Sequence, residues 1–144
     1  MSTEPAHYHE ISILLVDDDE VDVMAVKRAF KKLKILNPLV HAHNGEEGLA
    51  LLRDSAKVKR PYLILLDLNM PRMGGLEMLR EIRSDPLLED SLVFILTTSK
   101  ADEDKVAAYH EHIAGYIVKQ RMEDGFLDAV SMLNHYWRII ELPV

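Results

Sequence analysis

A doubly wound α/β domain, a five-stranded parallel sheet in the order 2-1-3-4-5 with helices on both faces, is the fold this chain predicts. Three observations predict it. Five short apolar runs alternate with five stretches of helical periodicity. The runs are short and largely apolar, bounded by turn signals, which suits strands buried on both faces. Four of them end on polar residues that together could form one site, and in such sheets ligands bind outside the carboxyl ends of the strands. The alternation implies right-handed crossovers. The common five-strand order then sets the first and third strands side by side.

Each element follows from its own stretch of chain. Ile11–Val16 is the first strand and runs into Asp17-Asp18-Asp19. Val23, Val26, Phe30 and Leu33 then recur at steps of three and four, one apolar helix face that ends before Asn37-Pro38. Leu39–Ala42 is the second strand, and His43-Asn44-Gly45 after it has the composition of a plain turn. Asn44 with Glu47 three residues on marks the start of the second helix, whose inner face carries Leu49 and Leu52. Tyr62–Leu66 is the third strand and ends on Asp67-Leu68-Asn69. Leu76, Leu79 and Ile82 face inward from a short third helix that closes near Asp85-Pro86. Leu92–Leu96, the fourth strand, runs into Thr97-Thr98-Ser99. A fourth helix, about Asp102 to His112, has Val106, Tyr109 and Ile113 as its anchors. Tyr116–Val118 is the fifth strand and ends on Lys119. Phe126, Val130, Leu133 and Trp137 define the last helix. Residues 1–10 are polar and are expected to be a disordered lead-in, leaving 11–144 as one domain.

Composition narrows the function. The 144 residues suit a single domain with a sizeable core. With 17 basic against 24 acidic residues the net charge is −7, which argues against nucleic acid as a partner, since phosphate backbones call for clustered Lys and Arg. The chain has no cysteine, which excludes disulfides and thiolate metal sites and is compatible with a reducing cytoplasm. No apolar run approaches the length of a membrane span, so no membrane association is expected.

Asp17, Asp18 and Asp67 would meet where the first and third strands adjoin. At roughly 4 Å and an effective dielectric near 20, each carboxylate pair repels by about 4 kcal/mol, so the group stays ionised only around a cation. Hard oxygen ligands without a nearby Cys or His favour Mg2+. Asp17 to Asp19 taken alone would serve equally as caps of the first helix, where acidic residues suit the dipole. Asp67 and Lys119 at the ends of other strands weigh toward a shared site. Asp67 is then a candidate nucleophile, a carboxylate able to accept a phosphoryl group as an acyl phosphate. Lys119 offers a second positive charge and Thr97 a hydroxyl donor for the phosphoryl oxygens.

Leu14-Leu15-Val16-Asp17-Asp18, Asp67-Leu68-Asn69-Met70-Pro71-Arg72-Met73-Gly74-Gly75, Thr97, and Gly115-Tyr116-Ile117-Val118-Lys119 resemble, in order and spacing, the receiver domains of two-component response regulators. The resemblance runs from about Ile11 to Trp137 and implies a flavodoxin-like receiver fold. It makes Asp67 the phospho-acceptor, Asp18 a direct Mg2+ ligand, Asp17 a ligand through water, and Asn69 a donor of its backbone carbonyl. It makes Thr97 and Tyr116 the switch pair, Thr97 moving toward the phosphoryl group and Tyr116 rotating inward behind it. A histidine kinase is the implied partner, and signal transduction or phosphorelay the implied role. Leu96-Thr97-Thr98-Ser99, Tyr136-Trp137 and the Leu142-Pro143 tail are similar to the stand-alone regulators of bacterial and cyanobacterial phytochromes, which implies a phytochrome as that kinase. Most receivers carry proline after the lysine, whereas this chain has Gln120. Since a cis bond before a non-proline costs about 2.5–4 kcal/mol, a trans Lys119–Gln120 bond is expected. The phytochrome group also lacks this proline, so function is not put in doubt.

Two rival functions remain. A Mg2+-dependent phosphatase or phosphotransferase would want a second acid two residues after the nucleophile, where Asn69 stands. A scaffold acting through its helical faces alone would have no use for five site residues. Tyr136, Trp137, Ile139, Ile140 and Leu142 carry more apolar surface than one helix face buries, which points to a homodimer built on the fourth and fifth helices, the fifth strand and the tail. The competing expectation is a tail folded back on its own core. Lys27, Arg28, Lys31, Lys32 and Lys34 are expected on a solvated face. Met70, Met73 and Met78 are expected as loop and core filler. Neither His41 with His43 nor His110 with His112 comes with carboxylates at ligand spacing, so both pairs are expected to be surface histidines. Without a Gly-rich phosphate loop, a nucleotide is not the expected direct donor.

Overall fold

The computed structural model describes residues 11–68, 70, 72–97, 112–118, 131–132 and 135. Within them run β1 (Ser12–Val16), α1 (Glu20–Lys32), β2 (Leu39–Ala42), α2 (Gly45–Leu52), β3 (Tyr62–Asp67), α3 (Gly75–Ser84), β4 (Leu92–Thr97) and β5 (Gly115–Val118). The strands form one parallel five-stranded sheet in the order β2-β1-β3-β4-β5, as the alternation predicts.

Successive strand residues point to opposite faces, and the core divides accordingly. Ile13, Leu15, Leu63, Leu65, Phe94 and Leu96 pack with Val23, Val26 and Phe30 of α1 on one face. Leu14, Val16, Ile64, Leu66, Val93 and Ile95 pack with Leu49 and Leu52 of α2 and with Met78, Leu79 and Ile82 of α3 on the other. All of β1 and β3 is buried. Among the described residues, no helix is long and apolar enough to cross a membrane.

The helix ends follow local chemistry. Asp19 caps α1, accepting from the Val21 N–H at 2.9 Å. Asn44 caps α2, accepting from the Glu47 N–H at 2.9 Å. Glu47 reaches back one residue further than in a standard capping box, to the backbone N–H of His43. Extended backbone at Asp85, before Pro86, closes α3. The basic residues of α1 and its C-terminal turn are exposed, Met78 is fully buried, and Met70 and Met73 are partly buried against the core, all as expected. Ile113 differs. It precedes β5, outside any helix, and packs on the α2/α3 side of the core. An apolar residue between a helix and a strand satisfies either period, so spacing alone could not assign it.

The predicted fourth helix before His112, the Lys119–Gln120 bond, the lead-in, and most of the last helix and tail lie outside the described residues.

Candidate functional site

Parallel pairing aligns Val16 with Leu66, so Asp17 and Asp67, each the next residue along its strand, emerge side by side at the carboxyl end of the sheet. Asp67 is the last residue of β3. The Asp17 N–H continues the ladder, donating to the Ala42 carbonyl at 3.0 Å. A carboxylate oxygen from each of Asp17, Asp18 and Asp67 lies within 4.8 Å of the other two. Asp17 is fully buried and Asp67 is 2% exposed, whereas Asp18 faces solvent. The N–H of Asp19 donates to Asp17 Oδ1 at 2.9 Å, fixing one carboxylate arm. Of the three consecutive aspartates only Asp19 is therefore a helix cap; the other two belong to the cluster.

Close packing holds this floor in place. The N–H of Gly75 donates to the Leu68 carbonyl at 3.2 Å, which seats the start of α3 on the chain leaving β3. A Cβ on Gly75 would lie 2.3 Å from the Asp67 carbonyl oxygen and 2.7 Å from Leu68 Cα. Only a residue without a side chain fits there. Arg72 has a φ of 62°, a left-handed conformation, and its guanidinium meets Glu46 at 3.2 Å, tying this loop to α2.

Two buried carboxylates with a third at the rim suit a hard divalent cation. The donors are all oxygen, charge neutralisation offsets their mutual repulsion, and the solvent-facing side leaves room for bound water. Asp17, Asp18 and Asp67 are the described residues that would hold the ion.

The other predicted residues divide. Thr97 ends β4, and its backbone is in register with Val118, the residue before Lys119 in the chain. Tyr116 pairs with Ile95 in the middle of β5. The side chains of Thr97 and Tyr116, and all of Asn69, Lys119, Tyr136, Trp137 and Ile140, lie outside the described residues.

A second group, not anticipated, lies at the end of β2. Spacing along the chain gives His41 and His43 no carboxylate at ligand distance, whereas the fold brings Glu20 of α1 beside them. The approach of Glu20 depends on where α1 begins beside the end of β2, which no spacing in the chain marks.

The family model of the response regulator receiver domain matches residues 13–131. The response regulator Rcp1 of Synechocystis sp. is 34% identical over 135 residues, covering 91% of this chain and 92% of that protein. The crystal structure of the phosphorylated cyanobacterial phytochrome response regulator RcpA is similar at a TM-score of 0.81 and 33% identity, over 94% of this chain and 100% of that one. The Mn2+-bound form of Rcp1 is similar at a TM-score of 0.77 and 33% identity, over 93% of this chain and 99% of that one.

Proposed function

This chain belongs to the response regulator receiver domain family, and from that premise we propose that Asp67 is the residue that accepts the phosphoryl group. The observation that carries this is the meeting of Asp17, Asp18 and Asp67 at the ends of the two central strands, with Asp67 alone on β3. A carboxylate oxygen of Asp67 attacks phosphorus, the bond to the donor breaks, and an acyl phosphate forms on the side chain. Asp18, Asp67 and the backbone carbonyl of Asn69 would hold Mg2+ directly and Asp17 through water, and the ion would supply charge that offsets the phosphoryl oxygens. Lys119 is the second cation at the site, and the Thr97 hydroxyl donates to a phosphoryl oxygen. The backbone register of Thr97 with Val118 supports this pairing. The chain promotes its own phosphorylation and dephosphorylation and turns over no other substrate.

The phosphoryl donor is a histidine kinase, and the resemblance to RcpA and Rcp1 supports a phytochrome in that role. Phosphorylation shifts a pre-existing equilibrium in which Thr97 and Tyr116 move together, changing the face formed by the fourth helix, β5 and the fifth helix. That face, with Tyr136, Trp137 and Ile140, forms a homodimer. The protein works in the cytoplasm without binding DNA, consistent with its net charge of −7.

Intact mass after incubation with Mg2+ and a small acyl-phosphate donor tests the central step. The expected result is a gain of one phosphoryl group, absent without Mg2+ and absent in Asp67→Asn. Uptake by Asp67→Asn would move the acceptor elsewhere. Light scattering of the full chain against one ending at Asn134 tests the dimer: two monomers of equal behaviour would remove it.

A further inference from the structure

Two imidazoles and two carboxylates meet at the carboxyl end of β2, and the phosphoryl chemistry proposed above uses none of their side chains. His41 is on β2 and His43 lies one residue past its end, two apart and on the same side; their ring centroids are 4.3 Å apart. Glu20, the first residue of α1, brings its Oε2 to 3.7 Å from His43 Nε2. One ligand atom from each of Glu20, His41 and His43 lies within 4.8 Å of the other two.

Each ring has one nitrogen already engaged. His41 Nε2 lies 2.7 Å from the backbone carbonyl oxygen of Asp17. A carbonyl can only accept, so Nε2 carries the hydrogen and Nδ1 keeps its lone pair. His43 Nδ1 lies 2.9 Å from Glu47 Oε1. An ionised carboxylate also only accepts, so His43 keeps its lone pair on Nε2, the atom that faces Glu20. Metal-binding histidines are held in this manner, one nitrogen donating to a carbonyl or carboxylate while the other points its lone pair at the ion. A plain surface ion pair needs neither the second imidazole nor an orienting acceptor behind each ring.

We propose that Glu20, His41 and His43 form a binding site for a divalent transition-metal ion, with Glu47 and the Asp17 carbonyl orienting the two rings. Imidazole nitrogen with one carboxylate suits Zn2+, whereas Mg2+ takes oxygen ligands and is drawn to the aspartate cluster. Three protein ligands leave a further position for water. Two sites at neighbouring strand ends thus select different ions. Through the bond from His41 to Asp17, the second site ties the end of β2 to the turn that carries Asp17 and Asp18.

Calorimetric titration of the full chain with Zn2+, in millimolar Mg2+ to occupy the aspartates, tests this. One Zn2+ per chain is expected. His43→Ala, an exposed position whose loss leaves the core intact, should weaken binding by at least about tenfold, and Glu47→Gln by about tenfold. Asp67→Asn should bind Zn2+ as the parent does. Imidazole 15N spectra should show the Zn2+-induced shift at His41 Nδ1 and His43 Nε2. No binding, equal binding by His43→Ala, loss of binding in Asp67→Asn, or shifts on the opposite ring nitrogens would each overturn the site.

Discussion

At Glu47 one carboxylate oxygen accepts both the backbone N–H and the ring Nδ1–H of His43. The backbone bond first, and then the ring bond, hold its pKa below the ordinary glutamate range. A carboxyl group with a depressed folded pKa contributes stability that is fully present above its unfolded pKa. That contribution is lost as pH falls through the folded value. The difference in urea unfolding between the parent and Glu47→Gln should therefore be full above the ordinary glutamate range and should narrow as pH falls below it. A gap that stays constant across this window would mean that the carboxylate charge contributes nothing. Asn44 and Glu47 were legible as a helix start because capping is a local pattern. The diversion of Glu47 to His43 was not, since it depends on how β2 delivers the chain into α2.

Among elements, the approach of a helix to the sheet depends on what its first turns leave out. Gly75 starts α3 against the Asp67 carbonyl, and an added Cβ there would meet backbone that cannot give way. Gly48 in α2 faces Met78 Cε at 2.8 Å, the far end of a flexible side chain, with Val16 Cγ2 at 3.2 Å. Gly75→Ala should cost about 3 kcal/mol by overpacking, and it should shift the end of β3 enough to slow phosphoryl uptake. Gly48→Ala should fall within about 1 kcal/mol of the parent, because alanine's helix propensity offsets the displacement of Met78. Denaturant midpoints and uptake rates of the two variants check the ordering. Equal costs would mean that the start of α3 can withdraw from β3. The Gly74-Gly75 pair was visible in the chain, but the need for the second glycine appears only where α3 meets β3.

For the whole molecule, the sheet order buries Asp17 and Asp67 side by side in the middle of a highly acidic chain. At about 4 Å and a dielectric near 20 such a pair, with both carboxylates ionised, repels by roughly 4 kcal/mol before relaxation. Without divalent cations Asp67→Asn should therefore be more stable than the parent, by about 1 kcal/mol or more. Millimolar Mg2+ should raise the parent's Tm through selective binding to the folded state and should raise that of Asp67→Asn less. Calorimetric melting with a chelator and with Mg2+ measures both. A parent more stable than Asp67→Asn under chelation would mean that other contacts of Asp67 outweigh the repulsion.

The class of fold, the order of its elements and the strand ends that carry Asp17, Asp18, Asp67 and Thr97 were all legible in the chain. These follow from short apolar runs, a helical period of about 3.6 residues and the polar residues that stop each run, all properties of neighbouring positions. Only the folded chain separates Asp17, Asp18 and Asp19 into a buried carboxylate, an exposed one and a helix cap in consecutive places. It also decided the meeting of Glu20 with His41 and His43. Strand order could be inferred from the alternation of elements, but burial side by side and the place where α1 meets the end of β2 depend on packing that no spacing along the sequence encodes.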